Sequence, residues 1–100
     1  MNKRFPKWTK PVIHHNKPTL WNWVVAYPSE FQLGEYVDIG AFTYINARYG
    51  VTLGDEVQIG SHCSIYSVST IDDKTGPVKI KKNSKIGSHC TLMPGITIGP

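Results

Sequence analysis

One hundred residues, 40 % hydrophobic and 18 % charged, suffice for one globular domain near the lower size limit for an adequate core. This composition excludes a disordered acidic tail and a collagen-like chain, and no apolar run approaches the ~20 residues of a membrane span. The formal charge of +4 is mild, no secretory leader is read from residues 1–10, and a cytoplasmic protein with no nucleic-acid partner and no membrane span is expected.

Residues 1–30 hold Pro6, Pro11, Pro18 and Pro28 together with Trp8, Trp21 and Trp23. Proline lacks the amide donor that a helix interior needs, so no helix of useful length fits between these positions. The segment reads as an irregular arm, with Trp21, Trp23 and Tyr27 plugging the open end of the repeats in residues 31–100.

From residue 31 onward an aliphatic side chain recurs every six positions. The series are Leu33, Ile39 and Ile45, then Leu53, Ile59 and Ile65, then Ile80, Ile86, Leu92 and Ile98. Two residues before the anchors stands a smaller or β-branched residue, among them Val37, Thr43, Val57, Cys63, Ser84 and Cys90. In a short strand positions i−2 and i share a face, so Val57 and Ile59 point inward and Gln58 outward. Glycine follows six of the ten anchors and reads as the residue that lets the chain turn a corner. Three such units close a triangular coil of about eighteen residues, and coils stack about 4.8 Å apart through parallel hydrogen bonds. A helix would show a 3.6-residue period and a hairpin meander a period of two. The pattern predicts an all-β parallel solenoid of about 3.5 coils over residues 31–100.

The grid breaks twice. Two residues are added near 46–50, and fifteen separate Ile65 from Ile80. The longer step reads as one hexad plus a nine-residue excursion, the loop lying within residues 66–77. Taking Ile71 as a further anchor is the alternative. The excursion is preferred because it sets Ile59-Gly60-Ser61-His62-Cys63 directly beneath Ile86-Gly87-Ser88-His89-Cys90, 27 residues later. Beyond Ile98 only Gly99 and Pro100 remain, so further chain or another subunit is expected over the last coil.

Cys63 and Cys90 match neither a disulfide framework nor a metal spacing, and their inward position makes them free, buried thiols. The basic residues fall into two groups, Lys3, Arg4, Lys7, Lys10 and Lys17, then Lys79, Lys81, Lys82 and Lys85. Each is either a solvated face or an attractor for an anionic ligand.

The hexads, the single excursion and the string Met93-Pro94-Gly95-Ile96-Thr97-Ile98-Gly99 resemble the hexapeptide-repeat acyltransferases. Within them, the stretch from Gly76-Pro77-Val78-Lys79-Ile80 onward resembles the sugar and galactoside O-acetyltransferase branch. The resemblance implies a left-handed parallel β-helix, a homotrimer with clefts between adjacent prisms, and acetyl-CoA as acyl donor with no metal. It further implies a histidine that acts as general base on a hydroxyl or amine of a small sugar-type acceptor. In that branch the base sits on the excursion, but Ser67-Val68-Ser69-Thr70-Ile71-Asp72-Asp73-Lys74 holds no histidine. His62 and His89, outward at one corner one coil apart, are therefore the catalytic candidates. His62, which immediately precedes the excursion, is preferred. Asp72, Asp73 and Asn46 are candidates for contacting the acceptor, while Lys79, Lys82 and Lys85 are candidates for the coenzyme phosphates. Two rival readings use the same fold: a non-catalytic β-helical scaffold, and a γ-type carbonic anhydrase, which needs three bridging histidines.

Overall fold

A computed structural model describes residues 8–99. Its strands are β1 (Val24–Ala26), β2 (Phe31–Leu33), β3 (Asp38–Ile39), β4 (Tyr44–Asn46), β5 (Val51–Leu53), β6 (Gln58–Ile59) and β7 (Ser64–Tyr66), followed by β8 (Val68–Ser69), β9 (Lys74–Thr75), β10 (Val78–Ile80), β11 (Lys85–Ile86), β12 (Thr91–Leu92) and β13 (Thr97–Ile98). One short 3-10 helix, Pro28–Glu30, is described among them. The fold is all-β. No helix among the described residues is long and apolar enough to cross a membrane.

Three parallel sheets carry the structure. The first has the order β1-β4-β7-β12, the second β2-β5-β10-β13 and the third β3-β6-β11. In chain order the strands visit first, second and third sheet in rotation, so each sheet receives one strand per round. Parallel neighbours ordinarily need a long crossover. Here the crossover is the rest of the round. Val24 lies beside Tyr44 and Tyr44 beside Ser64, while Ser64 faces Thr91 across the excursion. The register places Ile86 beside Ile59 and Ile80 beside Leu53. It is the one that requires the chain to leave the stack after β7. Ile71, the alternative anchor, is 95 % exposed.

The six-residue period places the core as expected. Ile45, Ile65, Val51, Val57 and Val78 are fully buried, and Leu53, Ile59, Ile80 and Cys63 nearly so. Outward positions between them, such as Tyr44, Gln58 and Lys79, are half-buried or exposed. Polar residues inside are bonded across rounds: Thr43 Oγ1 donates to the Gly60 carbonyl at 2.9 Å and accepts from the Cys63 amide at 3.2 Å. Thr43→Val removes both bonds and leaves two backbone groups buried without a partner. A loss of about 1–3 kcal/mol in urea unfolding is expected, with Thr43→Ser largely retaining stability.

Four sequence expectations are corrected. The ordered stack begins before residue 31, because β1 pairs with β4 and Val25 is fully buried. Of the three aromatic residues expected to plug the end, Trp23 does so at 3 % exposure, meeting Phe31 edge-on. Trp21 and Tyr27 are 48 % and 40 % exposed. The arm covers the edge of β1 with backbone instead: the Asn16 amide donates to Val25 and the Thr19 amide to Trp23. Cys63 is buried as expected, but Cys90 is only half-buried.

The fourth correction concerns the glycines. Corners turn on left-handed residues two positions after the glycine site: Tyr36, Phe42, Glu56, His62, Asn83 and His89 all have φ between 57° and 65°. The hexad glycine is required for a different reason. A Cβ on Gly60 would lie 2.5 Å from the Ser88 amide nitrogen of the next round, and one on Gly40 would lie 2.4 Å from that of Ser61. At these two positions the next round stacks too closely to admit a side chain.

Candidate functional site

Each corner between the third and first sheets presents its left-handed residue outward. Backbone bonds fix them in line. The Phe42 amide donates to Asn22, the His62 amide to Ala41 at 3.0 Å, and the His89 amide to Ser61 at 3.0 Å. The side chains therefore form a ladder. The rings of His62 and His89 stack with centroids 4.9 Å apart and planes 11° apart, and Phe42 lies 5.2 Å from His62 on its other side. All three residues are exposed.

The positive φ of the two histidines is not a mark of catalysis. Phe42, Tyr36, Glu56 and Asn83 share it at equivalent corners, so it belongs to the fold. What distinguishes this edge is chemistry: two imidazoles in line, open to solvent, with an aromatic ring flanking the inner one. Phe42 was not among the sequence candidates. Its signal was present, since it stands three residues after Ile39 as His62 does after Ile59.

The lysine candidates surround the third sheet of the same round. Lys85 lies on β11, the strand that leads into the corner bearing His89, while Lys82 lies in the turn before it and Lys79 on β10. All three are exposed. Beside Lys82 an open groove is lined also by Glu35, Tyr36, Asp55, Glu56 and Asn83. Of the N-terminal basic group, Lys3, Arg4 and Lys7 lie outside the described residues.

The acceptor candidates lie on another edge. After His62 the three-residue strand β7 carries the chain across the first sheet, about 10 Å, before the excursion leaves. The excursion is an antiparallel hairpin, with β8 paired to β9. Asp72 and Asp73 are exposed at its turn, and Ser69 Oγ donates to Asp72 at 3.2 Å. Asn46, on β4, accepts the Arg48 amide at 3.1 Å. Within one chain these three residues do not join His62 and His89. No cluster of three or more His, Cys, Asp or Glu with metal-ligating geometry occurs among the described residues.

Compared with models of protein families, with curated proteins and with solved structures, the chain matches none.

Proposed function

We propose that the protein is a left-handed parallel β-helix of the hexapeptide-repeat kind and an acyl-CoA-dependent acyltransferase. Acetyl is the proposed acyl group, and a hydroxyl or amine of a sugar or nucleotide-sugar the acceptor. The observation that carries this reading is the exposed His62–His89 stack at one border of the third sheet, with Lys85 on that sheet and Lys82 at its other border. An extended donor laid across the sheet would set its phosphates among the lysines and its thioester at the histidines. His62 would take the proton from the acceptor as the new bond to the acyl carbon forms, then return it to the departing sulfur. Phe42 and His89 flank the His62 ring and restrict its orientation, which is what a general base requires before proton transfer.

Calorimetric titration with acetyl-CoA tests the binding half of the proposal. The parent protein is expected to bind, and Lys82→Glu/Lys85→Glu to raise Kd about tenfold or more, less so at high salt. Equal affinity of parent and variant would remove the lysines from the site. Absence of binding by the parent would count for the scaffold.

A further inference from the structure

The formal charge of the chain is unevenly placed. Residues 1–29 carry Lys3, Arg4, Lys7, Lys10 and Lys17 and no acidic residue, whereas residues 30–100 carry six basic and seven acidic ones. The whole positive excess therefore belongs to the arm. Its described part passes over the first round, whose strands β1, β2 and β3 are the edges of the three sheets. Trp8 Nε1 donates to the Val37 carbonyl before β3, Lys10 and Ile13 lie beside Phe31 and Leu33 of β2, and the Asn16 amide donates to Val25 of β1. The arm thus closes this end of the stack. Thr19 and Trp23 face inward, at 8 % and 3 % exposure. Outward stand Val12, Leu20 and Trp21, at 74 %, 92 % and 48 %, with Lys10 and Lys17 also exposed. Leu20 and Trp21 share a turn closed by the Asn22 amide, which donates to the Thr19 carbonyl.

We propose that this end of the stack is a docking surface for a membrane rich in acidic lipids. Leu20 and Trp21 enter the interface, and Lys10 and Lys17 meet the anionic headgroups. A single exposed leucine is ordinary on a protein surface. Here it stands beside an exposed tryptophan, in the one part of the chain that has lysines and no acidic residue, and that is the composition of an interfacial anchor. The tryptophan ring, apolar with one polar edge, is suited to headgroup depth. Each lysine near an acidic leaflet adds attraction over about a Debye length. A nucleic acid would use the same lysines but presents phosphate and sugar, which reward an exposed leucine little. The surface lies at one end of the stack, so prisms packed side by side leave it free. It involves neither His62 nor His89 and is independent of the acyl-transfer reading.

Co-sedimentation of the full chain with lipid vesicles tests it. The parent is expected to pellet with an equal mixture of phosphatidylserine and phosphatidylcholine, to pellet weakly with phosphatidylcholine alone, and to be released by high salt. Tryptophan emission should shift to the blue on binding, and Trp21→Phe should remove most of that shift. Lys10→Glu/Lys17→Glu should weaken binding at least about tenfold. Leu20→Ser/Trp21→Ser, which leaves the charge unchanged, should weaken it about tenfold. Lys74→Glu, a charge reversal at the exposed hairpin, should leave it at the parental level. Circular dichroism should show all variants folded. Failure to pellet with the mixed vesicles, equal pelleting with both kinds, or parental binding by Leu20→Ser/Trp21→Ser would overturn the proposal. Binding to duplex DNA as tight as to the mixed vesicles would overturn it too, assigning the surface to polyanions in general.

Discussion

Gly60→Ala is expected to lower the urea midpoint severely, whereas Gly87→Ala, at the equivalent site one round later, is expected to leave it nearly unchanged. The two glycines follow aligned anchors, Ile59 and Ile86, which are partners in the register. Only their surroundings differ. A methyl group on Gly60 would meet the Ser88 nitrogen at 2.5 Å and its Cα at 2.7 Å, atoms of backbone that no rotamer change can move. To admit it, the third-sheet corners must part. That movement strains the 2.8 Å bond from the Gly60 amide to Ile86 and the 2.9 Å bond from Ser64 to Cys90. Overpacking together with weakened bonds is expected to cost about 3 kcal/mol, on the order of a 10–20 °C fall in Tm for a domain of this size. At Gly87 nothing lies within 4 Å of the added Cβ. An alanine there restricts the unfolded chain without a clash, so its effect should fall between neutral and a gain of about 1 kcal/mol. Equal losses at the two positions would mean that these glycines serve the corner torsion and not the close stacking of rounds.

The two glycines also mark how far the molecule can be read from its residues alone. Inward and outward positions follow from a two-residue alternation within each hexad, so Val57 and Ile59 against Gln58 needed no coordinates. The repeated five-residue string set the register across the excursion. β1 escaped notice because Val25 lies eight residues before Leu33, off the six-residue grid. Ile45 to Leu53 is also a step of eight, so the same two-residue extension at this corner occurs twice. The reason for the glycines was not legible, since it depends on backbone twenty or more residues away. The site was legible in part. Counting three residues from each anchor brings His62 and His89 into line and would have added Phe42. Adjacency in sequence misled for the excursion: β7 spans a full side of the stack, and Asp72 and Asp73 emerge at a different edge from the histidine they nearly follow.

His62→Asn is expected to reduce kcat/KM for acetyl transfer by about 100-fold or more, and His89→Asn by less than about tenfold. Asparagine suits the test because it tolerates left-handed backbone, so the φ of 57° at His62 and 60° at His89 adds no strain to either variant. Both side chains are exposed, and melting temperatures should stay close to the parent's. A positioned general base contributes about 10²–10⁴ in rate. His62 is assigned that role because its ring has a neighbour on each side, Phe42 at 5.2 Å and His89 at 4.9 Å. The described ring contacts of His89 are with His62 alone. Loss of His89 thus removes one wall of the pair and not the proton acceptor. Phe42→Leu, which removes the other wall, should lower kcat several-fold. If His62→Asn turns over like the parent, the imidazole stack is only the way this corner packs. A larger loss at His89 would transfer the catalytic role to the outer ring.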